Sequence, residues 1–363
     1  MSRKVYLHVG APKTGTTYLQ DRLALNQAEL ARHRVHYPLG VYASQFRPAL
    51  DLTGMSWGGI GAEVGGEWDK LMRRVRKLDG TVIISHEILA AASPQQIKRV
   101  MDDLGETEVH LVYSARDLAR QIPAEWQEGI KHRRRGTYKK FVETVMTARR
   151  YKPRLWFWQV QGLPDVLSRW SGGLPPSRVH LVTVPHHGAS GDVLWERYCD
   201  AFGLDPAWAP QDSFRTNVSI GGAEATLIRR LNRRLKQSGL ESEPYRALIR
   251  EIVVHRTLAQ RPDMAKVTLP PYAYDFATEV AHEWIEWVEG SGIDVVGDVE
   301  DLVPARPPDD EVWADPDRPR RTEMIDAALD ALVALALEAG RRPDPEHQLP
   351  AKVARAARRI RGS

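Results

Sequence analysis

Four short apolar runs, at residues 4–9, 81–85, 109–114 and 179–184, punctuate the first half of the chain. The first run alternates apolar and polar positions, which is typical of a strand. Each run is bounded by polar or helical sequence rather than by a tight hairpin. Runs of this kind, separated by helical stretches, predict a parallel sheet flanked by helices. The expected fold class is therefore α/β.

The second half of the chain is predominantly helical, and we treat it as a helical C-terminal addition. Ile325, Leu329, Leu332 and Ala336 form the apolar stripe of an amphipathic helix. The predicted organisation is a first domain over 1–303 (core 1–215, helical subdomain about 216–303), a linker over 304–321, an amphipathic helix over 322–341 and a basic tail over 342–363.

Composition narrows the class of protein. The 363 residues are 42% hydrophobic and 27% charged, which is typical of a globular chain and excludes a disordered or collagen-like one. The single cysteine, Cys199, excludes an internal disulfide framework, and we expect no metal site. No segment has the pattern of a signal peptide or membrane span, so we expect a cytoplasmic protein. The net charge of +4 suits an anionic ligand but does not indicate nucleic acid.

A glycine-rich segment between the first predicted strand and a helical pattern carries the clearest chemistry. Residues 10–17 read Gly-Ala-Pro-Lys-Thr-Gly-Thr-Thr. The glycines and the final threonine have the spacing of a phosphate-binding loop, G-x-x-x-x-G-K-[ST]. Thr16 occupies the usual lysine position, and the lysine is displaced to Lys13. Backbone amides at a helix N-terminus still favour an anion, and a lysine inside the loop suits the bridging oxygen of a 5′-phosphate anhydride.

This loop resembles the 5′-phosphosulfate-binding loop, PK[ST]GTT, of sulfotransferases that use 3′-phosphoadenosine 5′-phosphosulfate (PAPS). The resemblance is sharp over residues 10–19 and looser to about residue 205, where residues 194–204 are similar to a helix of bacterial members. It implies a three-layer α/β sandwich like that of P-loop nucleotide hydrolases, and a metal-independent reaction. It places Lys13 at the leaving phosphate oxygen, Gly15, Thr16 and Thr17 at the 5′-phosphate, and Tyr18 beside the adenine, with Pro12 and Thr14 completing the donor loop. Packing in the first helical turn explains Tyr18 equally well.

The resemblance also implies a 3′-phosphate site, made by an arginine after the third core strand and a serine several residues later. Arg116 matches the arginine, and its planar fork suits phosphate. It follows a predicted strand end, where open α/β sheets bind ligands. The serine is absent, because residues 123–125 read Pro-Ala-Glu. Ser114 and Arg120 are candidates to replace it, and an ion pair of Arg116 with a neighbouring acid such as Asp117 is the structural alternative.

Transfer to a hydroxyl requires a general base near the transferred group. Family members place a histidine or a glutamate just beyond the second core strand, and this chain has both, as His86 and Glu87. Neighbouring residues of an extended strand point to opposite faces, so only one of them is expected to face the donor. We favour Glu87 slightly. A helix start with His86 as its cap is the structural alternative.

The sequence therefore predicts a PAPS-dependent sulfotransferase that acts on a small-molecule or glycan hydroxyl, such as that of a sugar, lipid or secondary metabolite. One alternative is a Mg²⁺-dependent P-loop kinase or nucleotide hydrolase, against which the displaced lysine argues. Another is a non-catalytic protein that uses its basic tail on an acidic partner. Trp156, Phe157, Trp158 and Trp170 fit an aromatic wall for an acceptor, although a packed helix face explains them better.

Overall fold

A six-stranded, all-parallel sheet forms the centre of the fold, in the order β2-β3-β1-β4-β5-β6. The computed structural model describes residues 3–38, 44–57, 60, 62–152, 154–186, 188–213, 219–308 and 310–342. The strands are β1 (Lys4–His8), β2 (Val35–His36), β3 (Thr81–Ser85), β4 (Glu108–Ala115), β5 (Val179–Thr183) and β6 (Asp294–Val296). Helices flank the sheet, so the predicted α/β class is confirmed.

Helices connect these strands. Up to β5 they are α1 (Thr16–Leu25), α2 (Gln27–Arg32), α3 (Phe46–Thr53), α4 (Glu67–Val75), α5 (Pro94–Leu104), α6 (Leu118–Lys131), α7 (Tyr138–Tyr151), α8 (Trp156–Gln161) and α9 (Leu163–Trp170). After β5 they are α10 (Gly191–Phe202), α11 (Gly222–Leu235), α12 (Ser242–Pro244) running on into a π-helix (Tyr245–Thr257), α13 (Tyr274–Ser291) and α14 (Arg321–Arg341). Short 3₁₀ turns occur between them, and the one at Glu87–Ala91 follows β3.

The four strands predicted from the apolar runs are all present, with ends within one residue of the prediction. Strands β2 and β6 were not predicted from the sequence. They have two and three residues, which is too short for alternation to mark a strand.

The chain divides into two compact units. The first comprises residues 1–129, 136–219 and 267–314, and the second comprises residues 130–135, 220–266 and 315–363. The whole sheet and α13 belong to the first unit. The predicted domain limits stay a prediction, and the predicted basic tail lies outside the described residues from position 343 onward.

Strand β1 is the centre of the first unit, because it pairs with β3 on one side and with β4 on the other. Its residues Val5 and Leu7 are fully buried. The chain moves from β1 to the β3 side and later crosses to β4, which makes the carboxyl end of β1 a topological switch point. The segments that follow β1, β3 and β4 therefore meet at one edge of the sheet.

The aromatic cluster predicted from residues 156–170 is mostly core. Phe157, Trp158 and Trp170 are at most 2% exposed, which confirms the packed helix face. Trp156 alone is partly exposed, and its ring centroid lies 5.5 Å from that of Trp57.

The second unit is helical. The Tyr245 hydroxyl donates to Asn232 Oδ1 at 2.8 Å, and the Arg133 guanidinium lies 4.3 Å from the centroid of the Tyr245 ring. The predicted amphipathic helix is present as α14, but its apolar stripe is on the outside. Ala327 is the residue that packs inward. No helix in the described ranges is long and apolar enough to cross a membrane.

A chain of titratable side chains crosses one face of the sheet at the amino ends of its strands. Lys4 Nζ lies 3.0 Å from Glu108, which is 2.9 Å from His110 Nε2. His110 Nδ1 is 2.8 Å from His180 Nε2, and His180 Nδ1 is 2.6 Å from Asp294. The hydrogen bond from His110 and the contact with Lys4 lower the pKa of Glu108 to about 2.

We expect Glu108→Gln to destabilise the protein at pH 7 and to make its stability less sensitive to acid. The folded-state pKa of Glu108 lies below its ordinary value of 4.5. Its ionised form therefore stabilises the protein above that value, and this contribution is lost as the pH falls toward about 2. The thermal unfolding midpoint, measured from pH 7 down to pH 3, tests this. Glu106→Gln, at a nearby exposed position, is the control, and a Glu108→Gln deficit that does not shrink with acid contradicts the prediction.

Candidate functional site

Hydrogen bonds to three of its backbone carbonyl oxygens anchor the loop that follows β1. Gly10 O accepts from the Ser114 amide at 2.6 Å and from the Ser114 hydroxyl at 2.9 Å. Pro12 O accepts from the side-chain amides of Gln121 at 2.8 Å and Gln161 at 3.0 Å. Thr14 O accepts from the Tyr198 hydroxyl at 3.1 Å. These bonds fix the loop in one conformation at the start of α1.

The N-terminus of α1 completes the candidate anion-binding loop, which we call the cradle. Helix α1 begins at Thr16, with Gly15 before it in the left-handed region at φ 89°. The first amides of a helix have no partner within it, and the helix dipole favours negative charge there. Thr16 is buried and Thr17 is partly exposed. The local geometry therefore supplies backbone donors where residues 15–17 are predicted to bind phosphate.

Sequence reasoning missed the two glutamines behind the loop. Gln121 is fully buried and Gln161 is 3% exposed, and their side chains bond to each other at 2.8 Å as well as to Pro12 O. One signal was available in the sequence. Gln121, Glu125 and Glu128 recur at i, i+4 and i+7, which places polar side chains along one side of α6.

A buried hydrogen-bond network lies beneath the loop. His8 Nδ1 is 2.7 Å from the Ser85 hydroxyl, and His8 Nε2 is 3.2 Å from the Ser114 hydroxyl. The Ser114 hydroxyl is also 2.5 Å from that of Thr14, which donates to Ala11 O at 2.6 Å. Burial lowers the pKa of His8 to about 4, so its ring is neutral at pH 7. Ser114 and Thr14 thus support the loop, and their predicted contacts with the donor stay a prediction.

Lys13 lies at the front of the loop, in a positive-φ conformation at 67°. Its Nζ is 2.6 Å from the Glu128 carboxylate of α6, and both side chains are largely but not fully buried, at 28% and 18% exposure. Lys13 also contributes electrostatically to the pKa of Glu87. Its ammonium group therefore lies in a region that carries carboxylates on two elements.

Arg116, immediately after β4, is a largely buried cation with unused hydrogen-bonding capacity. Its Nη1 donates weakly to Lys13 O at 3.4 Å, and its buried Nε has no hydrogen-bond partner among the described residues. Burial, with a contribution from Arg120, lowers its pKa to about 10, so it stays charged at neutral pH. A buried guanidinium with an unpaired N–H fits an anionic ligand.

The neighbouring arginine has a different environment. Arg120 forms an ion pair with Asp117 and donates to Pro185 O at 2.8 Å and Val184 O at 3.1 Å. Asp117 therefore has Arg120 as its ion-pair partner. The predicted phosphate contact of Arg120 stays a prediction, and it would require this guanidinium to share its donors.

The two candidate bases follow β3, on the opposite side of the loop from Arg116. Burial raises the pKa of the Glu87 carboxyl, but His86, a backbone amide, Gln20 and Lys13 together outweigh it and leave that pKa below its ordinary value. Gln20, on α1, donates to Glu87 Oε2 at 3.1 Å and orients it. Glu87 is thus an ionised, positioned carboxylate at neutral pH.

His86 has the arrangement of a helix cap. Its Nδ1 accepts from the Ile88 amide at 3.2 Å, at the start of the 3₁₀ turn. Burial lowers its pKa. With Nδ1 accepting, the neutral ring carries its proton on Nε2, so neither nitrogen has a free lone pair. This geometry favours Glu87 over His86 as the proton acceptor.

Tyr18 lies in the first turn of α1 and is partly buried against a core cluster that includes Leu19, Trp195 and Tyr198. Its hydroxyl accepts from Arg22 Nη1 at 2.7 Å. Arg22 lies 4.4 Å from the centroid of the Trp195 ring. A packing role is therefore present, and a role beside the adenine stays a prediction.

Comparison with known proteins adds little about activity. No protein-family model and no curated protein matches the chain. A sulfotransferase from Alicyclobacillus acidocaldarius, known from its crystal structure, is similar to it with 13% sequence identity and a TM-score of 0.37, over 68% of this chain and 100% of that one. A likeness that distant carries no conclusion about function.

We expect Gly15→Ala to weaken anion binding by about tenfold or more. At φ 89° a side chain is strained, and a Cβ would lie 2.6 Å from Leu194 Cδ2. That strain, on the order of 1–3 kcal/mol, falls on the loop that forms the cradle. Calorimetric titration with inorganic pyrophosphate measures the loss.

Gly54→Ala is the matched control for this substitution. Gly54 also has a positive φ, of 64°, at the end of α3, but a Cβ there meets nothing within 4 Å. It should destabilise the protein slightly and leave pyrophosphate binding unchanged. Equal binding losses in the two variants would show that the effect of Gly15→Ala is general destabilisation.

Proposed function

We propose that the protein is a PAPS-dependent sulfotransferase that transfers a sulfuryl group to a hydroxyl acceptor without a metal ion. One arrangement carries the proposal. A lysine inside a fixed anion-binding loop is flanked by an ionised carboxylate after β3 and a buried cation after β4. Two cationic positions, Lys13 and Arg116, suit a ligand with two anionic groups.

The donor-binding residues follow from this arrangement. The amides of residues 15–17 would bind the 5′-phosphate at the N-terminus of α1. The Arg116 guanidinium, with its unpaired Nε, would bind the 3′-phosphate. Pro12 contributes through its position, because its carbonyl is the anchor for Gln121 and Gln161.

The catalytic roles divide between two residues. When bound, PAPS supplies an activated sulfuryl group, whose transfer forms a bond from the acceptor oxygen to sulfur and breaks the bond from sulfur to the bridging oxygen. Lys13 places positive charge where the departing oxygen becomes negative. Glu87 accepts the proton of the acceptor hydroxyl, and Gln20 keeps its carboxylate oriented.

The acceptor is a small-molecule or glycan hydroxyl in this proposal. Phe46 and the Trp57–Trp156 pair supply aromatic surface close to Glu87. The ring centroid of Phe46 is 5.3 Å from that of His86, the residue before Glu87. Helix α8, which begins at Trp156, packs on the 3₁₀ turn that begins at Glu87. Flat aromatic faces suit sugar rings and apolar acceptors.

Titration with 3′,5′-bisphosphoadenosine and, separately, with ATP plus Mg²⁺ tests the donor class. We expect the bisphosphate to bind more tightly, without metal, because the two cations match its two phosphates. Lys13→Ala should weaken that binding measurably and reduce sulfuryl transfer by about a hundredfold. Lys77→Ala, at an exposed position at the end of α4, is the control. Tighter binding of ATP with a strict Mg²⁺ requirement would instead indicate the P-loop kinase or hydrolase.

Comparison of Glu87→Gln with His86→Asn identifies the base. We expect Glu87→Gln to lower kcat by about 10²–10⁴-fold, because the amide cannot accept the proton. His86→Asn should retain most of kcat, since asparagine can replace the cap on the Ile88 amide. Bisphosphate binding in each variant confirms that the cradle is intact. A loss of kcat confined to His86→Asn would reverse the assignment.

A further inference from the structure

Helix α14 has two unlike faces within the second unit. Its inner face packs on α11 and on the π-helix Tyr245–Thr257. Ala327 is fully buried on that face, and Asp330 forms an ion pair with Arg261 beside it. The helix is therefore firmly seated, and the opposite face is presented outward.

The outward face is a continuous apolar surface. Of the eight large hydrophobic side chains that are exposed in the described ranges, five lie on this one helix: Ile325 at 57%, Leu329 at 55%, Leu332 at 62%, Val333 at 59% and Leu337 at 63% exposure. Scattered exposed leucines are ordinary, but a contiguous apolar patch marks an interaction site.

We propose that this face, which we call the α14 ridge, pairs with the same face of a second copy of the chain in an antiparallel arrangement. Ile325, Leu329, Val333 and Leu337 follow one another at intervals of four residues. Side chains at this spacing form a ridge that packs between the ridges of a like helix. The inference is independent of the proposed activity.

The ridge is symmetric about its own centre. With the centre at residue 331, an antiparallel copy places Ile325 opposite Leu337 and Leu329 opposite Val333, with Leu332 next to the two-fold axis. A two-fold interface requires such self-complementarity, because the same patch serves on both subunits.

Charges along the edge of the ridge favour the same arrangement. On one edge the amino-terminal half carries Glu323 and the carboxyl-terminal end carries Arg341. Their ion pairs within the chain are long, at 3.9 Å to Arg320 and 4.0 Å to Glu338. Glu323 and Arg341 are 18 residues apart, about five turns, so they lie on the same edge of the helix. The two-fold axis of an antiparallel pair keeps this edge on the same side of the interface in both copies, which brings Glu323 of one copy near Arg341 of the other.

The acidic edge also argues against a lipid surface as the occupant. Helices that lie on anionic membranes carry lysine and arginine along their polar face, whereas Glu323 and Asp326 lie beside the ridge here. The α14 ridge, from Ile325 to Leu337, is about 18 Å long and 10 Å wide, which is small for a stable interface. We therefore expect a reversible dimer with a micromolar dissociation constant.

Sedimentation velocity of the full chain over a range of concentrations tests the proposal. The wild type should shift from monomer to dimer as concentration rises. Leu329→Glu and Val333→Glu should remain monomeric, with unfolding midpoints close to that of the wild type, because both side chains are already exposed. Val312→Glu changes another exposed apolar residue, at 91% exposure and outside the ridge, and should dimerise normally.

Single cysteines distinguish the orientation. The natural Cys199 is buried. Leu332→Cys should form a disulfide-linked dimer under mild oxidation, because the two copies of residue 332 lie close to the axis. Ile325→Cys should not, since antiparallel copies of residue 325 are about 18 Å apart along the helix. Cross-linking at residue 325 would overturn the antiparallel arrangement.

A charge exchange gives a further test of register. Glu323→Arg and Arg341→Glu should each weaken the dimer, and the double variant should recover it. A monomer at every concentration would overturn the proposal. Dimerisation only after truncation at residue 342 would assign the ridge to the tail of the same chain, and binding to vesicles of anionic phospholipid without dimerisation would assign it to a membrane.

Discussion

The candidate site depends on the direction in which the backbone carbonyl groups of the loop after β1 point. Ser114, Gln121, Gln161 and Tyr198 all bond to those oxygens from behind. In the trans peptide units that follow Pro12 and Thr14, an oxygen held on one side leaves the N–H on the other, so the hydrogen bonds from Gln121, Gln161 and Tyr198 orient the amides of Lys13 and Gly15. The parallel sheet anchors the start of the loop, since it places β4 beside β1 and brings Ser114 directly under Gly10.

The same sheet order determines which chemistry surrounds the loop. Because β1 lies between β3 and β4, a carboxylate enters from one side and a guanidinium from the other. The carboxylate of Glu87 is kept ionised by nearby donors and charges, while Arg116 is kept desolvated by its burial. Two groups with perturbed pKa values at one short edge of the sheet mark it as the candidate functional site.

The sequence predicted those features of the fold and the candidate site that depend on periodicity or on local residue order. The four longer strands, the loop and the positions of His86, Glu87 and Arg116 follow from alternation and from residue order. Contacts between distant segments were not visible: Glu128 is 115 residues from Lys13, and Gln161 is 149 residues from Pro12. The apolar stripe of α14 was found, but periodicity alone does not say whether such a stripe faces inward. In α14 the residue that is buried is Ala327, whereas Leu329, Leu332 and Leu337 are exposed.

The ion pair between Lys13 and Glu128 has a consequence for turnover. Any anion that takes the Lys13 ammonium has to displace a carboxylate that is already in place at 2.6 Å. That competition weakens the hold on every anionic occupant equally, spent nucleotide included. In the proposed reaction, whose product would keep both phosphates of its donor, an internal carboxylate that pairs again with the lysine would speed release of the product and limit inhibition by it.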